Sequence, residues 1–299
     1  MGAQTAVVTS KKRKAALKPG KVFVYAALIV SCAVMLLPLI FLVLTSLKPY
    51  SELLADPTGF FPKKITLESF KAVFNENPYF LYLGNTVLIT TVSILGCCLT
   101  SAFVAYGFTR FKVKGNKLIF GIFISGMMIP GQILMIPMYE LYDRLRWVDT
   151  FLPFLLPPLF GGGIVNIFLM RQFMKGISPS IMEAAKIDGA NELRIFADIT
   201  LRMVIPVCIT IAIFTFIGSW NDLFGPLIYL DNPKLWTLAK GNYMIYMDEV
   251  GKQGATGAQV LPWNILSAAN LLTALPIIAL YFIAQRYFMQ GIQISGLKE

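Results

Sequence analysis

The chain has 299 residues, of which 56% are hydrophobic and only 14% are charged, and its formal net charge is +10. This composition and a mean hydropathy of +0.67 exclude an ordinary soluble domain and indicate a polytopic membrane protein. Histidine is absent and the four cysteines all lie in apolar runs, so neither a metal site nor a disulfide framework is expected.

The N-terminal segment carries a cluster of basic residues from Lys11 to Lys21, and an apolar run from Val22 to Leu47 follows it. This run is too long for the core of a signal peptide, and no small-residue cleavage site follows it. We therefore predict a basic N-terminal tail (residues 1–21) and an uncleaved first span, with residues 22–299 forming a single transmembrane domain.

Six apolar segments are long enough to cross a bilayer, because about 20 apolar residues span the hydrocarbon as a helix. They run from Val22 to Leu47, Asn85 to Phe108, Leu118 to Met138, Thr150 to Phe173, Met203 to Leu223, and Asn264 to Tyr287. Prolines inside several of them and the glycine triplet 161–163 predict kinks. The sequence thus predicts an all-α fold with six transmembrane helices and a core over about residues 82–288.

Basic residues orient this bundle. Most lysines and arginines lie in the two termini, in the loop 109–117 and in the segment 174–202, whereas most of the acids lie on the opposite side, which includes the long loops 48–83 and 225–262. Because basic loops stay in the cytoplasm, both termini and the segment 174–202 are predicted to be cytoplasmic.

The stretch "SIMEAAKIDGANELRIF" (residues 180–196) is too polar to cross a membrane. Ser180 and Glu183 have the spacing of a capping box, which predicts a short helix from Ile181 to Asp188. Gly189 then lies where a left-handed helix cap is needed, and Asn191 can cap a second helix. The pattern predicts two helices joined by a sharp turn beneath the membrane.

One face of the first helix is expected to carry Ile181, Ala184 and Ala185, which share a side by their spacing. The two alanine side chains are small, so another protein could approach this face closely. An amphipathic helix of this kind could equally lie on the lipid headgroups. On these residues alone, docking to a partner and binding to the membrane surface both remain open.

The fifth predicted span ends in a group of aromatic and hydrogen-bonding side chains that could line a solute pathway. Trp220, Asn221 and Asp222 combine a stacking surface with polar groups near the outer half of the fifth span, which suits sugar rings and hydroxyls. They could instead be an interfacial aromatic with polar neighbours at a helix end. Asn85 in the second span and Asn270 in the sixth are alternative candidates.

The polar stretch resembles the signature loop of permease subunits of ABC importers, in which Glu-Ala-Ala is followed after three residues by Gly and, after nine more, by Ile-x-Leu-Pro. The positions in register are Glu183, Ala184, Ala185, Gly189, Ile199 and Leu201. Arg202 stands where that family usually has proline, which leaves Pro206 to supply the bend into the fifth span.

Three further stretches narrow the resemblance to the carbohydrate-uptake, maltose-type branch and its six-span second permease subunit. They are "NTVLITTVSILGCCLTSAFVAYGFTRF" (85–111), "WNDLFGPLIYL" (220–230) and "QRYFMQGIQISGL" (285–297). The resemblance extends over the chain from the first span onward.

This resemblance implies that two permease subunits form the pathway, that each docks a coupling helix into a cytoplasmic ATPase dimer, and that an extracytoplasmic solute-binding protein delivers a carbohydrate. The residues expected to serve the coupling are Ser180, Glu183, Ala184, Ala185, Gly189 and Asn191. The chain has no glycine-rich phosphate loop, so ATP and Mg²⁺ are expected on the ATPase, with no cofactor on this chain. The C-terminal tail (289–299) resembles one that, in some relatives, reaches between the ATPase subunits.

Two other functions remain open. An ion-coupled secondary transporter would require an ion gradient and would work without partner subunits. An ABC importer for glycerol phosphate, an amino acid or a peptide would be distinguished by the ligand of its binding protein. An enzyme is not expected, because the sequence offers no paired carboxylates, nucleophile triad or metal-ligand cluster in a plausible site.

Overall fold

The computed structural model describes residues 19–111, 114–256 and 261–296, and all regular structure in these ranges is helical. The first half contains α1 (Pro19–Ser46), α2 (Tyr50–Ala55), α3 (Glu68–Glu76), α4 (Tyr79–Arg110), α5 (Asn116–Ser125), α6 (Gly131–Arg144), α7 (Leu152–Gly161) and α8 (Ile164–Met174). The second half contains α9 (Pro179–Ile187), α10 (Glu192–Arg194), α11 (Leu201–Met203), α12 (Ile205–Trp220), α13 (Phe224–Tyr229), α14 (Leu238–Thr256) and α15 (Trp263–Gly296). The predicted all-α class is confirmed for these residues.

Short turns of other helix types connect some of these elements. They are 3₁₀ turns at Gly126–Met128 and Pro233–Leu235 and a π-helical turn at Ile195–Thr200 that makes α10 and α11 one continuous helical segment. Most of the predicted basic N-terminal tail (1–18) and the last residues of the predicted C-terminal tail (297–299) lie outside the described residues.

Within the described ranges, four helices are long and apolar enough to cross a membrane, or up to six if two bent pairs each count as one span. The four are Phe23–Ser46, Tyr79–Arg110, Leu152–Met174 and Trp263–Gln285. They correspond to the first, second, fourth and sixth predicted spans.

The third predicted span is not one straight helix, and the fifth directly follows a bend. The third consists of α5 with its following 3₁₀ turn and of α6, which meet at 97°. Ile129 is extended there (φ −83°, ψ 116°), because the residue before a proline, here Pro130, avoids the helical region. The fifth corresponds to α12, which ends at Trp220 rather than at the predicted Leu223. The segment Glu192–Met203 before it meets α12 at 70°.

The core is built around α4, which packs against α7, α8 and α12. Small side chains on α4 let the neighbouring helices approach closely, as is usual between membrane helices. The buried cluster comprises Cys97, Ala102, Ala105, Tyr106, Met170, Met174, Val204, Val207 and Ile211. The helices that line both sites described below are therefore held by one continuous core.

A second buried cluster closes one end of the bundle, where α3, α4, α12, α14 and α15 meet. Its members are Val73, Tyr79, Tyr82, Trp220, Leu238, Ala268 and Ala269. Helix α1 packs along α15 and otherwise exposes large apolar side chains along most of its length. An exposed apolar surface of this kind is suited to contact with lipid.

Candidate functional site

The polar hairpin (residues 175–203) consists of α9, a turn at 188–191 and the segment from α10 to α11. Helix α9 begins with Pro179 at its first position, and Ser178 precedes it without a capping hydrogen bond from its side chain. Proline suits the first helical position because its fixed φ is already helical. Ser180 therefore falls inside the first turn, with its Oγ 2.7 Å from Ser178 Oγ, and the predicted capping box with Glu183 does not form.

The turn of the hairpin follows the prediction. Gly189 has a φ of +82°, a conformation that costs any residue with a Cβ about 1–2 kcal/mol. The Gly189 and Ala190 amides donate to the carbonyls of Lys186 (3.0 Å) and Ala185 (2.9 Å) and close the end of α9. Asn191 Oδ1 accepts a hydrogen bond from the Arg194 amide at 2.8 Å, so both the glycine turn and the asparagine cap are confirmed.

The surfaces of the hairpin are arranged differently from the predicted face. Ala185 and Met182 are buried against Ile195 of the second helical segment, whereas Ile181 and Ala184 are exposed. The predicted grouping of Ile181, Ala184 and Ala185 on one docking face is therefore wrong for Ala185, which packs inside the hairpin.

The tip of the hairpin is apolar. Ile187 is 87% exposed and Leu193 is 72% exposed, on either side of the turn, and the Glu183 side chain is exposed on α9. A rigid tip that presents large apolar side chains is typical of a surface that another protein covers.

A carboxylate that the sequence analysis missed attaches this hairpin to the core. Glu192 Oε1 lies 2.6 Å from Lys186 Nζ, and Glu192 Oε2 accepts a hydrogen bond from the Tyr106 hydroxyl at 2.7 Å and lies 3.2 Å from Arg110 Nε. Tyr106 and Arg110 belong to α4, more than 80 residues earlier in the chain. No local pattern indicates such partners, and the only sequence signal is an acid in the first turn after Asn191.

The same contacts set the protonation state of Glu192. Hydrogen bonds from Lys186 and Tyr106, together with the bond and the charge of Arg110, lower the pKa of Glu192 to about 2 from 4.5. The pKa of Glu192 in the folded state lies below its ordinary value. The ionised carboxylate therefore stabilises the folded protein above about pH 4.5, and this stabilisation is lost as the pH falls towards 2. Glu192 is therefore fully ionised at neutral pH.

The residues predicted for a solute pathway do not come together. Asn85 Nδ2 donates to the carbonyls of Lys234 and Trp236, both at 2.9 Å, which fastens α4 to the segment before α14. Trp220 is 3% exposed, and its Nε1 donates to the Thr273 carbonyl of α15 at 3.1 Å. Both side chains connect elements of the fold.

The other three candidates occupy separate places. Asn221 is exposed and its Nδ2 donates to the Ile217 carbonyl at 2.9 Å. Asn270 lines a cavity of about 470 Å³ between α1, α14 and α15, together with Tyr243 and Trp263. Of the five candidates, only Asp222 lines a groove among the core helices.

This groove, the core groove, has a volume of about 610 Å³ and lies between α4, α7, α8 and α12. Its polar side chains are Ser93, Asn166, Thr215, Ser219 and Asp222, and Phe154 and prolines of α7 form an apolar wall. The break between α7 and α8 at Gly162 and Gly163 also lines it. Irregular backbone at membrane depth is tolerated where it borders a water-filled cavity.

The chemistry of the core groove suits an uncharged polar solute. Asp222 Oδ1 accepts a hydrogen bond from the Gly225 amide at 3.1 Å, which fixes the orientation of the carboxylate. Hydroxyl, amide and carboxylate groups beside an aromatic ring can bind sugar hydroxyls and one sugar face. Among the described residues, no three His, Cys, Asp or Glu side chains come together to hold a metal ion.

Comparison with known proteins places these features in context. Residues 98–294 match the family model described as "Binding-protein-dependent transport system inner membrane component". The chain is 31% identical to the arabinooligosaccharides transport system permease protein AraQ of Halalkalibacterium halodurans, over 87% of this chain and 90% of that protein. It is 27% identical to the sulfoquinovosyl glycerol transport system permease protein SmoH of Agrobacterium fabrum, over 88% and 89%.

A solved structure has the same fold. One chain of a bacterial ABC transporter involved in import of the acidic polysaccharide alginate superimposes with a TM-score of 0.77, covering 91% of this chain and 99% of its own length at 22% identity.

Proposed function

The chain belongs to the family of binding-protein-dependent transport system inner membrane components, and from this premise we propose that it is a permease subunit of an ATP-driven importer for a carbohydrate, most simply an oligosaccharide. It is a multi-pass protein of the plasma membrane, the inner membrane where two are present, and ATP hydrolysis belongs to a separate subunit. Its partners are a second permease subunit, a cytoplasmic ATPase dimer that holds ATP and Mg²⁺, and an extracytoplasmic solute-binding protein. This chain itself requires no cofactor.

In this assignment the chain crosses the membrane six times, with the bent pair of α5 and α6 as the third span, α12 as the fifth and both termini in the cytoplasm. Support comes from the distribution of basic residues, because the loop 109–117 and the polar hairpin fall on the same side as the basic N-terminus. The domain 22–299 then contains the core, the hairpin and the C-terminal tail (289–299) as one unit.

The observation that carries the proposal is the polar hairpin, a rigid helical turn with an apolar tip that is fastened to the core by Glu192. We assign the exposed residues Ser180, Glu183 and Ala184 to contact with the ATPase. Gly189 and Asn191 shape the turn, and Ala185 supports it from inside. Closure of the ATPase dimer would move the hairpin, and α4 and α12 would transmit this motion to the core groove.

The core groove is the proposed carbohydrate pathway, completed by the second permease subunit. Relatives whose names specify arabinooligosaccharides and sulfoquinovosyl glycerol support a carbohydrate. The hydroxyl and amide side chains of the groove support a solute with many hydroxyl groups. Of the residues predicted for the pathway, Asp222 keeps this role.

The proposed function is tested by reconstituting the chain with the subunits that co-purify with it. We expect a carbohydrate, presented on the binding protein, to stimulate ATP hydrolysis and to be taken up into proteoliposomes. Gly189→Val should reduce this stimulation about tenfold or more, because a β-branched residue is a genuine outlier at positive φ and would redirect the second helix. Gly189→Asn is the matched control with a smaller loss, since asparagine tolerates this conformation.

Solute uptake without ATP and without partners would contradict the assignment. It would also be contradicted if the carbohydrate stimulated ATP hydrolysis equally in Gly189→Val and in the unchanged protein, with the variant present in the membrane in normal amount.

The role of Asp222 is tested by Asp222→Asn, which keeps an oxygen to cap the Gly225 amide but removes the charge. Because a hydrogen bond to a charged group is stronger than one between neutral groups by about 1 kcal/mol or more, we expect the KM for the carbohydrate to rise roughly fivefold to tenfold. Thr210→Ala, on α12 at a position whose hydroxyl bonds only to the Pro206 carbonyl, is the control. Equal KM values for the two variants would remove Asp222 from the pathway.

A further inference from the structure

A narrow crevice lies between the end of α4 and the start of α5, outside both sites described above. Its volume is about 270 Å³, and it is lined by Val104, Gly107, Phe108, Asn116 and Ile119. The three residues of α4 share one face by their spacing, as do the two of α5. Asn116 is the one polar side chain in this lining, so the crevice is almost wholly apolar.

The surroundings of the crevice are apolar as well. Phe111, Leu118 and Ile122 near it are exposed, and in a membrane protein such a surface faces hydrocarbon. Gly107 leaves the crevice open, since a Cβ added there would meet no atom within 4 Å. An extended hydrocarbon chain from the bilayer can therefore enter between the two helices.

Positive charge lies at the mouth of the crevice. Lys114 lies on the turn between the helices and Lys117 in the first turn of α5, and both are exposed. Neither forms an ion pair with any residue the structure describes. The Arg171 guanidinium stacks on Phe120 at 3.7 Å from the ring centroid, and Phe120 packs against Phe108 of the crevice at 5.1 Å between centroids. Cationic groups next to an apolar slot match the two halves of an anionic phospholipid.

Asn116 connects the two helices that form the crevice. Its Nδ2 donates to the carbonyls of Phe108 and Phe111, both at 3.1 Å, whereas its Oδ1 is buried and accepts no hydrogen bond within the described structure. The two hydrogen bonds of Nδ2 hold the start of α5 against the end of α4, on either side of the crevice. The first-turn amides of α5 lie at this end as well, and free amides at a helix start favour a negative charge.

From these observations we infer that the crevice between α4 and α5 is a binding site for an anionic phospholipid, with an acyl chain between the helices and a phosphate beside Lys114 and Lys117. Phosphatidylglycerol carries the negative charge that this arrangement requires, whereas phosphatidylcholine has no net charge. This site is independent of the transported solute. It places a lipid against the same end of α4 that carries the Glu192 anchor.

The test uses the full-length chain, with any subunits that co-purify, in nanodiscs of equal parts phosphatidylglycerol and phosphatidylcholine. Mass spectrometry of the lipids retained after detergent extraction should show phosphatidylglycerol bound preferentially. The variant K114Q/K117Q should lose about 30-fold in apparent affinity, from roughly fivefold for each juxtamembrane lysine. K63Q/K64Q removes two exposed lysines from the loop between α2 and α3 and should retain the lipid normally.

A second pair of variants tests the apolar half of the site. Gly107→Leu fills the crevice with both lysines in place and should also abolish the preference, whereas Gly84→Leu, at an equally open position of α4, should preserve it. Equal retention of both lipids by the unchanged protein would overturn the inference, as would equal losses in K114Q/K117Q and K63Q/K64Q. Displacement of the lipid by inorganic phosphate alone would overturn the role of the acyl chain.

Discussion

Glu192→Ala is expected to uncouple ATP hydrolysis from solute uptake while the protein still inserts into the membrane. The change removes the carboxylate that joins Lys186 of the hairpin to Tyr106 and Arg110 of α4. The Arg110 side chain, only 20% exposed, is left without its anion, and removing one partner of a buried pair costs more than the pair itself contributes. Because each hydrogen bond to a charged group contributes about 1.5–3 kcal/mol, we expect the ratio of uptake to hydrolysis to fall about tenfold or more.

Asp198→Ala is the matched control for Glu192. Asp198 pairs with Arg194 in the same hairpin at 3.4 Å, but both side chains are more than half exposed, and such a pair contributes little. Hydrogen exchange over residues 186–196 should accelerate in Glu192→Ala and stay unchanged in Asp198→Ala. If the ratio of uptake to ATP hydrolysis were the same in the two variants, the contact of Glu192 with α4 would not be needed for coupling.

Gly162→Ala is expected to have the largest effect on folding. Gly162 has a φ of +61°, and an added Cβ would lie 2.6 Å from Thr100 Oγ1 and 3.0 Å from the Cys97 carbonyl oxygen. The conformation and the contact are both unfavourable, and together they cost roughly 3 kcal/mol. We expect a lower yield of folded protein and a lower Tm in detergent, because α7 and α8 can no longer pack closely on α4.

Gly161→Ala is the control for this variant, since the neighbouring position is helical and an added Cβ there meets no atom within 4 Å. Alanine favours a helix over glycine by about 1 kcal/mol, so its Tm should be unchanged or slightly higher. If both alanine variants melted at the same temperature, the close approach of α4 at Gly162 would not be limiting for stability.

The sequence predicts features that depend on neighbouring residues. Span positions follow from the length of apolar runs, and Gly189 and Asn191 follow from local helix-end chemistry, which the structure confirms. The predicted capping box at Ser180 did not form because two helix-start signals, Pro179 and Ser180, are adjacent in the sequence. Proline at the first helical position moved the start of α9 back to Pro179.

Features that depend on direction or on distant contacts are not accessible in this way. A hydropathy window measures composition, so it cannot distinguish one straight span from two helices that meet at 97°, as α5 and α6 do. Glu192 was missed because its partners on α4 are separated from it by more than 80 residues. The five residues proposed for the pathway had suitable chemistry, but only the tertiary fold decides that Asp222 lines the core groove and that Asn85 and Trp220 are used in hydrogen bonds.

Helix α4 extends without interruption over 32 residues, about 48 Å at 1.5 Å per residue, which exceeds the roughly 30 Å of a bilayer core. Near its beginning, Thr86 Oγ1 accepts a hydrogen bond from the Leu238 amide at 2.8 Å. Near its other end, Tyr106 holds Glu192.

Between these two attachments, Gly96 brings the backbone of α4 so close to Pro158 that an added Cβ would lie 2.9 Å from the Pro158 carbonyl carbon. This tight contact lies near the middle of α4, between its two attachments. In the proposed function, a tilt of α4 about this contact would move its two ends in opposite directions.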